Sequence, residues 1–217
     1  MRLRTPSILL ATAALGLGAA ACGSDDTSSP ASAAQSGPEP VAQVDQLSGR
    51  ATAVTLDAGF ADALSTLKLT PAPVGDATIS KAGVASFPIT GGNVKYYEPG
   101  TVSPFVQGEI DHAGAGLSLT GGGKTVELTD FVVDPGASVL TGTVSVDGAE
   151  AAQDAPLFFL DGRTLNPLAV NDNGTAVLEG TTVKLKAEAA ELLNQTFAVD
   201  ALTEGLVIGV AKITINT

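Results

Sequence analysis

The sequence has no tryptophan, a single cysteine, a single histidine and few basic residues, and each scarcity removes a class of function. With Cys22 alone, no intramolecular disulfide forms and no thiolate cluster holds zinc. With His112 alone, a Ser-His-Asp triad has one conceivable base, and no G-x-S-x-G elbow accompanies it. A zinc shell around that one imidazole would have to be completed by carboxylates, and no spacing among the acids singles out a pair for hydrolysis. Aromatic residues make up 4% of the chain, which leaves few platforms for stacking bases or sugars and calls for a core of Val, Leu, Ile and Ala. Eleven basic residues against 23 acidic ones give a formal charge of −12, which repels nucleic acid and anionic headgroups. The inventory therefore predicts neither catalysis nor a nucleic-acid partner, and of itself calls for no cofactor.

What is present begins with an export signal. Arg2 and Arg4 precede an uncharged Ala/Leu-rich run from Ile8 to Ala21, shorter than the roughly 20 residues a bilayer-spanning helix needs. Ala19-Ala20-Ala21 then runs directly into Cys22. Small residues leading into a cysteine resemble the lipobox of bacterial lipoproteins. The resemblance implies that residues 1–21 are removed and that Cys22 carries a diacylglycerol on the extracytoplasmic face of the cell membrane. Cleavage after Ala21 that leaves a free thiol is the plainer alternative. Losing residues 1–21 leaves 9 basic residues against 23 acidic ones, a net charge near −14. Membrane attachment then rests on acyl chains, at about 0.8 kcal/mol per buried CH₂, and not on a basic patch.

From residue 22 to 48 the chain is Ser, Ala, Gly, Pro, Asp and Gln with scarcely a large apolar side chain, which predicts a flexible linker. One alternative docks part of it as an edge strand. Residues 49–217 suffice for a single domain. Their pattern predicts a mainly β fold: an antiparallel sheet or sandwich-like domain flanked by two short helices.

An internal echo brackets that domain. Val54, Leu56, Ala58, Ala61 and Leu64 recur as Val183, Leu185, Ala187, Ala190 and Leu193 at a constant offset of 129. Each copy opens with period-two apolar residues and switches to helical spacing. Phe60, Leu64 and Leu67 form the first helical stripe, with Asp57 as N-cap; Ala189, Leu192, Leu193 and Phe197 form the second. Return strands are expected over 77–80 and 205–215, the last one central because it is apolar on both faces. Between the echoes runs a meander. Val106, Gly108 and Ile110 alternate with polar neighbours, and Leu117, Leu119, Val126 and Leu128 continue the pattern around Gly121-Gly122-Gly123-Lys124. The phase slips before Phe131 and Val133, predicting a bulge near Asp130. The segment after Asp147-Gly148 reads as a loop up to Pro156.

Two loop motifs resolve as turns. Gly123-Lys124-Thr125 lacks the upstream glycine and the following helix of a phosphate loop. Asn171-Asp172-Asn173-Gly174 has Ala169 and Gly180 where a calcium loop needs ligands.

His112 remains, at a strand end before Ala-Gly-Ala-Gly116, on the apolar face if the alternation continues. Around it the pattern G-x-[IV]-x-H-x-G-x-x-L, carried by Gly108, Ile110, His112, Gly114, Leu117 and Leu119, resembles the HtaA-type domains of high-GC Gram-positive bacteria. These are secreted or surface-held β-domains that bind haem, and the likeness covers residues 84–148. It implies haem as the cofactor and His112 as the residue matching the family's histidine. The family's tyrosine lies in an upstream tryptophan-containing motif with no counterpart here, and Tyr96 and Tyr97 are not matched to it. Two functions follow: a surface lipoprotein whose β-rich domain is a non-catalytic binding or structural module for an unidentified extracellular ligand or protein, or an HtaA-like haem-uptake module. In the first, His112 hydrogen-bonds across the turn it begins; in the second it is a ligand.

The anchor gives a direct expectation: Cys22→Ser releases the protein from the detergent phase or leaves the precursor uncleaved. An unmodified Cys22 peptide recovered from native membranes by mass spectrometry would refute lipidation.

Overall fold

The computed structural model describes residues 37–217; the expected export signal, Cys22 and the expected linker up to residue 36 lie outside them. Short apolar-alternating runs separated by glycine turns give strands β1 (Ala42–Val44), β2 (Ala51–Leu56), β3 (Thr70–Gly75), β4 (Thr78–Ile79), β5 (Val84–Pro88), β6 (Gly91–Tyr96) and β7 (Val106–Gly121). They continue with β8 (Lys124–Asp134), β9 (Val139–Val146), β10 (Ala149–Asp161), β11 (Ala169–Asn171), β12 (Thr175–Leu185) and β13 (Val207–Asn216). Helices α1 (Ala58–Leu67) and α2 (Ala187–Phe197) follow β2 and β12.

All the strands belong to one antiparallel sheet that curls on itself, which is the form the expected β-rich domain takes. β7 to β10 form a meander, and β12, β13 and β2 follow in space. Closure comes from β5 and β6, two parts of one stretch bent at Ile89-Thr90. β5 pairs β2, with Val54 opposite Ala85, while β6 pairs β7, with Val94 opposite Gly108. At the bend Ile89 donates to Arg50 O (3.0 Å) and Thr90 donates to Asp111 O (2.8 Å), so the ladder crosses without a gap. β6 and β7 approach so closely that a Cβ on Gly108, at φ +116°, would stand 2.2 Å from Asn93 O.

The turns follow the sequence chemistry. Gly122 and Gly123 both take positive φ, 58° and 78°, as a two-residue hairpin turn between Gly121 and Lys124 requires. Lys124 Nζ bonds Asp147 (2.7 Å) in the next turn of the meander, so the apparent phosphate-loop lysine is an exposed ion-pair partner. The Asn171–Thr175 hairpin closes with Gly174 N donating to Asn171 O, a tight turn as expected. Asp130 has φ 52° at a register shift between β7 and β8, where Ala113, Gly114 and Ala115 oppose it alone. The bulge changes parity on both strands: buried positions pass from His112 to Ala115 on β7 and from Leu128 to Phe131 on β8. A bulge that left parity unchanged would turn one half of each strand inside out.

Both helices sit at one end of the curled sheet. Asp57 caps α1, its Oδ1 accepting from Gly59 N (2.8 Å) and Phe60 N (3.3 Å), and Phe60 and Leu64 turn inward. α2 has no side-chain cap and buries Ala189, Ala190 and Leu193. The echoed strands β2 and β12 flank β13 on its two sides, both antiparallel to it, so each echo is a strand leading into a helix at the same end. β13 is central, as its two-sided apolarity predicts.

Three stretches depart from the sequence expectation. The chain joins the sheet earlier than residue 49: β1 pairs β6, Leu47 N donates to Gly92 O (2.8 Å), and Leu47 is 2% exposed. The segment 149–155 is strand, not loop, paired irregularly to β9 through register shifts. Thr70–Gly75 is a strand despite Pro71 and Pro73. Thr70, Ala72 and Val74 face the ladder with β7, so both prolines fall on the free edge, where no N–H is needed.

Because Leu64 and Leu193 are 3% and 4% exposed beneath their helices, Leu64→Ala and Leu193→Ala should each lower unfolding free energy by about 2–5 kcal/mol in urea titrations. A loss below about 1 kcal/mol for either would mean that its helix contributes nothing to closing that end.

Candidate functional site

Inward parity around a closed sheet does not by itself fill the interior. Val54, Phe87, Ile110, Val133, Leu160, Val183 and Ile213 point inward from seven strands and leave a cavity of about 370 Å³ between them. Its lining reaches the segments at the end opposite the helices: Pro104 and Phe105 before β7, Ser138 before β9, and Leu165 and Leu168 after β10. At the helix end, Leu119, Val126, Leu128, Leu157, Leu185 and Leu193 are buried and pack the interior shut.

His112 stands in this lumen, 1% exposed. Its Nδ1 lies 2.9 Å from Pro88 O on β5, and its Nε2 lies 3.2 Å from the Thr52 hydroxyl on β2. A carbonyl only accepts, so Nδ1 carries the proton, and Nε2 accepts from Thr52. Thr52 is 5% exposed. Its oxygen, having donated its one proton, keeps acceptor lone pairs at the lumen wall. The bonds run to neighbouring strands and not across the Ala-Gly-Ala-Gly116 segment, because the bulge turns Ala113 and Gly114 outward, where Gly114 N donates to Asp130 (2.8 Å).

Burial pushes the His112 pKa down, against smaller opposing effects from the Pro88 carbonyl and the Asp111 charge. Asp111 lies on the opposite strand face, as alternation requires. Phe87 meets the His112 ring edge to face at 6.3 Å and Phe131 at 5.3 Å, and Phe131 meets Phe158 at 6.5 Å. Four of the scarce rings are thus spent on one wall of the lumen.

The loop end is fixed by ions. Asp161, 6% exposed at the end of β10, takes Arg163 Nε (2.8 Å) and Nη2 (2.6 Å) and Lys184 Nζ (2.7 Å). The Arg163 hydrogen bonds, then that of Lys184, hold its carboxyl far below the ordinary range. This cluster pins the 3₁₀ turn Gly162–Thr164 that leads to Leu165 and Leu168.

Of the residues singled out in the sequence, His112 lies in the cavity and Cys22 lies outside the described residues. Tyr96 also lines the lumen, edge-on to Phe105 at 5.8 Å, whereas Tyr97 does not. Thr52 was not anticipated. Its one signal was a polar residue at the inward parity set by Val54, which period-two reading passes over as a tolerated threonine.

The fold has solved counterparts. The chain is similar to the C-terminal domain of HtaA from Corynebacterium glutamicum, at 14% identity over 79% of this chain and 98% of that one, with a TM-score of 0.53. It is similar also to the heme binding protein HtaB from the same organism, at 10% identity over 81% of this chain and 96% of that one, TM-score 0.53. The chain therefore shares the fold of these β-domains. No protein-family model and no curated protein matches the sequence.

The lowered His112 pKa fixes a pH dependence. A buried neutral imidazole contributes fully above its unfolded pKa near 6.5, and its contribution is lost as pH falls from there through the lower folded value. Stability should decline by up to about 1.4 kcal/mol per pH unit just below pH 6.5. His112→Asn should remove that slope in urea titrations at stepped pH; an undiminished slope would place its origin elsewhere.

Proposed function

We propose that this chain is a non-catalytic binding module, held on the extracytoplasmic face of the membrane by lipid on Cys22, that receives a small, mainly apolar ligand in its lumen. The observation that carries the reading is the cavity of about 370 Å³, lined mostly by hydrocarbon, with a hydrogen-bonded polar pair, Thr52 and His112, buried in its wall. Small-molecule sites are typically of this kind: concave, roughly 300–1,000 Å³, apolar, with few placed polar groups. The fold supports binding over catalysis, since one neighbour that shares it is a heme binding protein. The Thr52 hydroxyl on an imidazole has the first contact of a hydrolytic relay. Its third member, however, is the neutral Pro88 carbonyl, which offers an imidazolium no counter-charge.

Haem is the second reading, favoured by the description of HtaB and by the position of His112. An iron held by His112 would require the ring to give up Pro88 or Thr52, because both its nitrogens are engaged. As arranged, the imidazole does not fit an axial ligand. Tyr96 is the other lumen residue of a haem-ligating type.

The test uses residues 22–217 with Cys22→Ser, free of detergent. Nile red fluorescence should rise on mixing and fall by at least about tenfold in apparent affinity for Ala211→Phe, which fills the lumen from β13, with the far-ultraviolet dichroism unchanged. Equal dye binding by that variant would locate the site outside the lumen. A hemin Soret band that His112→Ala abolishes would establish the haem reading.

A further inference from the structure

We infer that the molecule the lumen receives is an uncharged, elongated hydrocarbon ending in a hydroxyl, an alcohol and not an acid. The inference rests on the lumen reading above and deepens it. Among the described residues, the lining contains no Asp, Glu, Lys or Arg. An ionised carboxylate brought inside would lose its water without gaining a counter-ion, which costs far more than the surrounding hydrocarbon returns. Of the cations at the loop end, Arg163 and Lys184 are engaged by Asp161, and Arg50 donates to Asn216. The excess of acids over bases across the whole chain disfavours an anion's approach as well.

Gln43, Tyr96, Ser103, Ser138, Thr181 and Thr217 also lie on the lining, and the hydrogen-bonded pair buried in its wall, Thr52 and His112, is selective in its own way. His112 Nδ1 donates to Pro88, and Nε2 takes the Thr52 proton, so both hydrogens of the pair are used. What this buried pair offers a ligand is the Thr52 oxygen with its lone pairs, an acceptor that needs a donor. An alcohol supplies one. A carboxylate, ester or ether supplies only further acceptors and would leave two lone-pair groups opposed in a dry cavity.

All-trans-retinol, its methyl ether and retinoate share one elongated skeleton and separate these terms. With residues 22–217 bearing Cys22→Ser, fluorescence titration should show one retinol per chain, bound about tenfold or more tighter than the ether, the size of one hydrogen bond, and tighter still than retinoate. Leu168→Lys places a cation at the half-buried loop end of the lining; it should raise the affinity for retinoate relative to retinol about tenfold. Retinoate binding as well as retinol in the parent chain, or the ether matching retinol, would overturn the inference. So would a Leu168→Lys chain that folds normally and shows no gain for retinoate relative to retinol. Retinoate or hemin binding that Ala211→Phe abolishes would overturn the alcohol while leaving the lumen as the site. Failure of retinol, retinoate, hemin and Nile red alike would overturn both.

Discussion

One imidazole spans the seam at which the sheet closes. His112 belongs to β7, its Nδ1 reaches Pro88 on β5 and its Nε2 reaches Thr52 on β2. Those strands meet only because the stretch through Ile89-Thr90 bends from one partner to the other. A polar ring buried at that point must be satisfied on both sides or not be there at all. Once it is, the relative height of β2, β5 and β7 is set, and with it the parity of every inward residue farther round the sheet. The same bonds that lock the seam leave the Thr52 oxygen with lone pairs at the lumen wall.

The two ends of the ring answer to different forces. At the helix end, leucines from the strands and from α1 and α2 fill the space, so packing decides the geometry. At the other end the geometry is set by polar contacts: the Asp161 cluster beside the lumen, and Arg50 and Ser48 held to Asn216 across the chain termini of β2 and β13. Cavity and rim therefore coexist with a rigid base, the arrangement a binding site needs if its floor is to stay put while something enters from the loops.

Local chemistry was legible in the sequence wherever one residue's preference settles the backbone. Asp57 announces a helix start, Gly122-Gly123 a hairpin, and the slip from Leu128 to Phe131 a bulge, because each depends on neighbours within a few positions. The rest depends on partners far away. Nothing near Ile89 says that its two sides pair with strands on opposite flanks, so closure was invisible and the sheet could equally be read as a sandwich. Alternation marks Val54 and Ile213 as inward without saying whether the interior is packed or hollow, which is why the lumen and Thr52 were missed. Gln43 and Leu47 lie in a stretch too polar to favour a strand over a linker, and the alternative of a docked edge strand is the one that holds, on an edge that β6 presents ready-made.

The prolines of β3 matter most when many copies stand side by side. Wherever copies of a β-domain are concentrated, encounters between identical flanks are frequent, a condition that favours strand-to-strand polymerisation. β3 offers a neighbour a row that lacks its amide hydrogens at Pro71 and Pro73, so a second copy finds acceptors there with nothing to donate in return. Crowding then brings copies of the chain together without welding them through β3 into a fibre.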